Sequence, residues 1–279
     1  MAEDRESTTE RPWRRRTVLG TTGLALAGTL AACTDGDGDG GGSAEPGATT
    51  GGEAGGGTTT SQESPRLPEP TIISTADWGA TQPRAHLQTI NEHPSYLVIH
   101  HTTTPNVTDG SREAAIDLAR RVQNGHVGQG WGDSGQHFTM SRGGHILEAR
   151  HGSKNALETG ETFMLGIHAL GFNAYALGIE CEGLYMVNPP PQSLYQGLVH
   201  LCAFICQQYD LPPKRIIGHR DLVKTSCCGD AFYAKLPILR EDVRLSLASG
   251  EYHVSEGFGA DNLFDDAHVT PEYVEEERG

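Results

Sequence analysis

The chain has 279 residues, with 36 acidic against 21 basic side chains and a formal net charge of −15. An acidic surface repels phosphate, which argues against nucleic acid or anionic lipid as a partner and leaves a soluble acidic enzyme or binder. The same charge is compatible with a high-salt habitat. Six cysteines (Cys33, Cys181, Cys202, Cys206, Cys227 and Cys228) fall at irregular spacings, so they do not read as the framework of a small disulfide-stapled domain.

Taken in chain order, the first segment reads as an address. Arg14-Arg15-Arg16 precede an apolar stretch from Val18 to Ala32, a positive n-region and an h-region of about 15 residues, too short to span a bilayer comfortably. The arginines before Thr17 resemble a twin-arginine export signal. Leu30-Ala31-Ala32-Cys33 resembles a lipobox, in which Cys33 is lipidated and becomes the mature N-terminus; a cleaved signal with an incidental cysteine is the alternative. Residues 34–66 are rich in Gly, Asp, Thr and Ser, a composition that cannot bury enough surface to offset its ordering entropy, and they read as a flexible tether. One folded domain is expected over 67–250, followed by an acidic tail over 251–279, loosely docked or disordered.

Within the domain, Tyr96 to His100 is a short apolar run with the signature of a buried strand. Ser111 caps a helix predicted from Arg112 to Asn124, with Gly125 as its stop. His137 to Ser141, Gly143-Gly144 and His145 to Glu148 form a predicted hairpin. A strand follows over Ala176 to Glu182, then a helix over Gln192 to Gln208 with an apolar stripe at Leu194, Leu198, Leu201, Cys202 and Ile205. Arg215 to Gly218 is a short strand and Leu236 to Leu247 a last helix. This order gives an α/β fold, a single domain with a central mixed β-sheet flanked by helices. Cys202 and Cys206, four apart on a helix, suit burial on one face better than a mutual disulfide.

Three clusters carry possible chemistry: His100-His101-Thr102 at a strand end, Gly218-His219-Arg220-Asp221 after another strand, and Thr225-Ser226-Cys227-Cys228-Gly229 close behind. Alternation along a strand allows only one of His100 and His101 to face a given site. Two imidazoles and a thiolate leave one tetrahedral zinc position open, as a hydrolytic site requires.

The stretch from Ile72 to Leu247 resembles the type 2 N-acetylmuramoyl-L-alanine amidase and peptidoglycan recognition protein family. The matching pieces, in order, are Ala76-Asp77-Trp78-Gly79-Ala80, Val98-Ile99-His100-His101-Thr102, and Gly130-Trp131-Gly132 through His137-Phe138. They continue with Gly166-Ile167-His168-Ala169, Leu177-Gly178-Ile179-Glu180, and Gly218-His219-Arg220-Asp221 through Thr225-Ser226-Cys227. The resemblance implies Zn2+ held by His100, His219 and Cys227, and hydrolysis of the amide between the muramic acid lactyl group and L-alanine. Non-catalytic members lose the cysteine, which is present here.

Many recognition-type members carry a catalytic tyrosine where this chain has Gln136, and an amide is no general base at neutral pH. Other branches use the glutamate that matches Glu180, which is therefore the expected base, with Glu182 in reserve on the same strand face. Thr225 is the expected oxyanion donor, with Lys224 one place off the lysine register of some members. Cys228 replaces the usual proline and could compete for zinc, pair with another cysteine, or pack. His101, Trp131 and His168 are expected to line the cleft, and Arg220 and Asp221 to brace the loop. The implied partner is peptidoglycan or its muropeptides, met by a monomer that touches the membrane only through its lipid anchor. The competing readings are a peptidoglycan binder without hydrolysis and a zinc amidase for another wall polymer.

Overall fold

A run that is apolar on both faces, such as Tyr96 to Ile99, is stable only between two covered layers. The computed structural model describes residues 65–258 and supplies both layers. The predicted leader with Cys33, nearly all of the tether, and the chain beyond Phe258 lie outside the described residues. The strands are β1 (Ile72–Ile73), β2 (Thr89–Ile90), β3 (Tyr96–His101), β4 (Phe138–Met140), β5 (Ile146–Glu148), β6 (Phe163–Met164), β7 (Ala176–Cys181) and β8 (Ile216–Gly218). The helices are α1 (Arg112–Gly128), α2 (Ser153–Thr159), α3 (Gln192–Gln208), α4 (Asp230–Tyr233) and α5 (Leu236–Ser249).

Six strands form one sheet in the order β1-β5-β4-β7-β3-β8, and β2 pairs with β6 apart from it. β7 runs parallel to both β3 and β4, β8 parallel to β3, and β4 and β5 form the expected antiparallel hairpin. The mixed sheet follows from these pairings.

Side-chain parity then divides the core. Leu97, Ile99, Phe138, Met140, Leu177 and Ile179 pack with Leu198, Leu201 and Ile205 of α3 and Leu239 and Val243 of α5 in one large cluster. Leu147 and Ile73 instead join Ala115 and Ala119 of α1, with Trp78, in a smaller cluster. Eleven residues of α3 are buried, so it is the central helix of its layer. Each fully buried Leu or Ile there contributes roughly 1.5–3 kcal/mol of transfer free energy. Cys202 and Cys206 are free thiols in that core, as their spacing predicts.

Three expectations are corrected. The helix from Arg112 passes through Gly125 and ends at Gly128. Nothing crowds Gly125, and the next residue, His126, is anchored by accepting from Gly135 N at 3.1 Å and by stacking on Trp131; tertiary contact outweighs glycine's cost of about 1 kcal/mol. The domain also continues past residue 250. Phe258 is buried against Tyr195, ring centroids 3.3 Å apart, and Ser255 N and Oγ donate to the buried Asp242 carboxylate at 2.8 and 2.7 Å. Two anchors outweigh the segment's polar composition. Finally, β7 stops at Cys181, so alternation no longer governs Glu182; its carboxylate is buried and accepts from Arg142 N at 2.9 Å.

Candidate metal centre

Parallel register sets out the floor of the site. His100 on β3 lies opposite Glu180 on β7, and Glu180 lies opposite Thr139 on β4. These three share a sheet face, while Ile99, Ile179 and Phe138 point the other way into the core. The row sits at the C-terminal ends of parallel strands, where chain connections leave a crevice.

His219 enters from the 3-10 turn His219–Asp221 that follows β8, and Cys227 from the loop behind it. Ligand atoms of His100, His219 and Cys227 all lie within 4.8 Å of one another. His100 Nδ1 is 3.8 Å from Cys227 Sγ. Bonds of about 2.1 Å to nitrogen and about 2.3 Å to sulfur at a tetrahedral angle separate N from S by about 3.6 Å. The set therefore fits a zinc ion with one position left open. Burial pushes both imidazoles below their ordinary pKa, His100 further through its histidine neighbours, which keeps their lone pairs available. His101 N donates to Cys227 Sγ at 3.4 Å, a contact suited to a thiolate.

The loop carrying Cys227 is braced as expected. Arg220 donates from Nε to Cys227 O at 3.2 Å, bonds Ser226 O, and pairs with Asp230. Asp221 accepts from Gly218 N at 2.9 Å and Tyr233 Oη at 2.5 Å. Of the three roles open to Cys228, the structure shows packing: the thiol is fully buried in the main core, which pushes its pKa to about 12. Lys224 is exposed and does not line the cavity.

A cavity of about 320 Å³ lies over the triad, walled by His101, Thr102, His126, Trp131, Gln136, His168, Glu180 and Thr225 among others. Thus His101 faces it as well as His100, against the strict reading of alternation, because the cavity wraps around the end of β3. Glu182 does not line it. A larger apolar hollow of about 500 Å³, walled by Ile167, Leu170 and Val223, shares Trp131, His168 and His219 with it. A further hollow of about 260 Å³, with Arg121 and Gln129, shares Thr102, His126 and Glu180 with the cavity. The cavity over the triad is thus continuous in its walls with two neighbouring hollows.

Three residues that wall the central cavity each hold one buried side-chain atom with no partner among the described residues: His101 Nε2, Gln136 Oε1 and Glu180 Oε2. Gln136 Nε2 donates to Thr139 Oγ1 at 2.9 Å, so only its carbonyl oxygen is left. His101 Nδ1 accepts from Tyr185 N at 3.4 Å, and burial holds its pKa at about 4, so Nε2 carries the proton. The residues that wall the cavity thus keep one donor and two acceptors without a partner among the described residues. His126 is the residue that sequence reasoning missed; a helix ended at Gly125 places it in a loop, away from Trp131.

A mixed-sheet domain that gathers two imidazoles and a thiolate beside its strand ends carries a donor set that could hold a single tetrahedral metal. The chain is a member of the N-acetylmuramoyl-L-alanine amidase family, whose model matches residues 90–230. Human N-acetylmuramoyl-L-alanine amidase is 30% identical over 169 residues, covering 59% of this chain but only 27% of the human protein. Peptidoglycan-recognition protein LB of Drosophila melanogaster is 27% identical over 168 residues, 59% of this chain and 67% of its own length. The solved structure of Drosophila PGRP-LB shares the fold, with a TM-score of 0.51 at 24% identity over 67% of this chain and 98% of that one. A mutant of PGRP-LB in complex with tracheal cytotoxin aligns with a TM-score of 0.52 at 26% identity, over 59% of this chain and 92% of that one.

Burial pushes the Glu180 carboxyl up to about 7. A carboxyl raised in the folded state favours folding while it is protonated, so its contribution is complete below about pH 4.5 and is lost as pH rises through about 7. The loss is at most roughly 3 kcal/mol, from a pKa displacement of about 2.5. In the metal-free protein, Glu180→Gln is therefore expected to flatten the fall in stability between pH 5 and pH 8, read by urea unfolding in chelator. Parallel pH profiles for wild type and variant would show that Glu180 is not a buried acid.

Proposed function

We propose that this protein is a zinc-dependent N-acetylmuramoyl-L-alanine amidase that hydrolyses the bond between the muramic acid lactyl group and L-alanine of peptidoglycan. The observation that carries the reading is that Glu180, a carboxyl with one oxygen unpartnered among the described residues, lines the same cavity as the His100, His219 and Cys227 triad. A hydrolase needs a base beside an open metal position; a receptor needs neither. Two further hollows share walls with the triad's cavity, which suits a substrate with bulky groups around the scissile bond.

Zinc held by His100, His219 and Cys227 would supply Lewis acidity, polarising the scissile carbonyl and lowering the pKa of water toward about 7. Glu180 takes the proton of the attacking water and passes it to the leaving alanine nitrogen; a pKa of about 7 suits both transfers. The Thr225 hydroxyl, whose oxygen accepts from Cys227 N at 3.2 Å, keeps its proton for the developing oxyanion. His101 and Gln136 line the same cavity and could supply a second donor and an acceptor to substrate. Trp131, stacked on His126 with ring centroids 4.5 Å apart, offers an apolar wall to the substrate.

Peptidoglycan binding without hydrolysis is the second reading, favoured by Gln136 in place of a titratable side chain. Digestion of purified muropeptides separates the two. Free stem peptide beginning with L-alanine is expected from wild type, and none after chelation or with Cys227→Ser. Glu180→Gln is expected to lose about 10²–10⁴-fold in rate while still binding zinc. Binding of muropeptides with no cleavage would establish the receptor reading, and full rate in Glu180→Gln would remove Glu180 as the base.

The reading extends to location. The twin-arginine and lipobox patterns, with the Gly-rich stretch behind them, support export and anchoring of a monomer through Cys33 on the outer face of the cytoplasmic membrane. Cys33→Ser is then expected to move the protein from the membrane fraction into the medium. Unchanged membrane retention would contradict the anchor.

A further inference from the structure

His168 lies on the cavity wall, but both of its ring nitrogens are already committed. Nε2 is 3.1 Å from the carbonyl oxygen of Ala176, and Nδ1 is 3.0 Å from His100 Nε2. A carbonyl oxygen can only accept, so His168 Nε2 carries the hydrogen. In a neutral imidazole Nδ1 is then bare and can only accept. His100 Nε2 must therefore donate, which leaves His100 Nδ1 as the bare nitrogen, the atom that faces Cys227 Sγ at 3.8 Å. Two hydrogen bonds convert a fixed backbone carbonyl into a defined protonation pattern on His100.

The surroundings hold His168 in that place. Its backbone N, with that of Ala169, donates to Asn173 Oδ1 at 2.8 Å. Its ring occupies space that two glycines leave open. A Cβ on Gly178 would lie 2.7 Å from His168 Cγ and Nδ1, and one on Gly166 would lie 2.7 Å from its Cδ2. Gly178 belongs to β7, two residues before Glu180 on the same sheet face, so the missing side chain is what admits the ring beside the row. The glycines of Gly166-Ile167-His168 and Gly178-Ile179-Glu180 thus both leave room for the imidazole seated against His100, Gly166 also clearing His137 Cε1 and Gly135 O.

We propose that His168 is a positioning residue that sets the tautomer of His100 and so raises the affinity of the site for its metal, rather than a group that contacts substrate. The proposal rests on the metal-centre reading above. An imidazole whose second nitrogen donates to a fixed acceptor is a more basic and better oriented ligand, and loss of such a partner commonly costs 10–100-fold in metal affinity.

The test uses the full chain with two substitutions. His168→Leu removes the acceptor; His168→Asn puts an amide oxygen near the position of Nδ1. In metal-free wild type, 15N resonances of His100 are expected to show a protonated Nε2 and a bare Nδ1, and in His168→Leu a mixture of both tautomers. Zinc dissociation constants, from competition with a chromophoric chelator, are expected to weaken about 10–100-fold in His168→Leu and to stay within a few-fold of wild type in His168→Asn. Wild-type affinity and a single Nε2–H tautomer in His168→Leu would overturn the proposal. So would a proton on Nδ1 of His100 in wild type, a result that stands even if the leucine variant fails to fold. Equal loss in both variants with an unchanged tautomer would also overturn it, by assigning His168 to packing alone. Cys227→Ser is the separate control: if it still binds zinc like wild type, the metal centre itself is misassigned, whatever His168 does.

Discussion

The strand register between β3, β7 and β4 is the constraint on which the rest depends. Because His100, Glu180 and Thr139 face each other across parallel strands, a candidate ligand imidazole, a carboxylate and a hydroxyl share one face of the sheet. A slip of one residue in β7 would turn Glu180 into the core and bring Ile179 to the cavity. That slip is opposed by Leu177 and Ile179, which are buried among the α3 and α5 side chains on the other face. The packing of an apolar layer thus fixes the geometry of a polar one.

Burial gives that polar layer its chemical character. Taking imidazoles out of water disfavours their charged forms, so His137 falls to about 3 and His168 to about 4, and His100 lies well below its ordinary value. The same desolvation raises Glu180 to about 7. A cluster of neutral histidines beside a reluctant carboxylate is a poor arrangement for the empty protein, since buried polar atoms without partners cost about 1–3 kcal/mol each. It suits a divalent ion and a polar substrate in the cavity that His101, Gln136 and Glu180 line. Function here draws on stability supplied by the core behind α3.

Much of this was legible in the sequence, for identifiable reasons. The apolar run of β3, the Gly143-Gly144 hairpin and the bounds of α3 follow from periodicity and turn chemistry. His100 and His219 stand at or just beyond strand ends and Cys227 in the loop that follows; each was weak alone and the resemblance joined them. What escaped depended on contacts between distant residues. The two-residue strands β1, β2 and β6 are defined by their partners, not by their own composition. Helix α2 starts from Gly152 with no side-chain cap and has no apolar stripe long enough to declare it. Glu180 and Glu182 share a parity that the sequence could read, but not the end of β7 at Cys181 that separates their fates. The bond from His168 to His100 spans 68 positions and exists because Gly178 has no side chain; no local pattern encodes it.

Zinc K-edge X-ray absorption on the purified, metal-loaded protein tests the central claim most directly. Two imidazole nitrogens, one sulfur at about 2.3 Å and one further light atom are expected, with the sulfur lost in Cys227→Ser. Two sulfurs would bring Cys228 out of the core and into the site, and a shell of oxygens alone would mean that His100, His219 and Cys227 do not hold the metal at all.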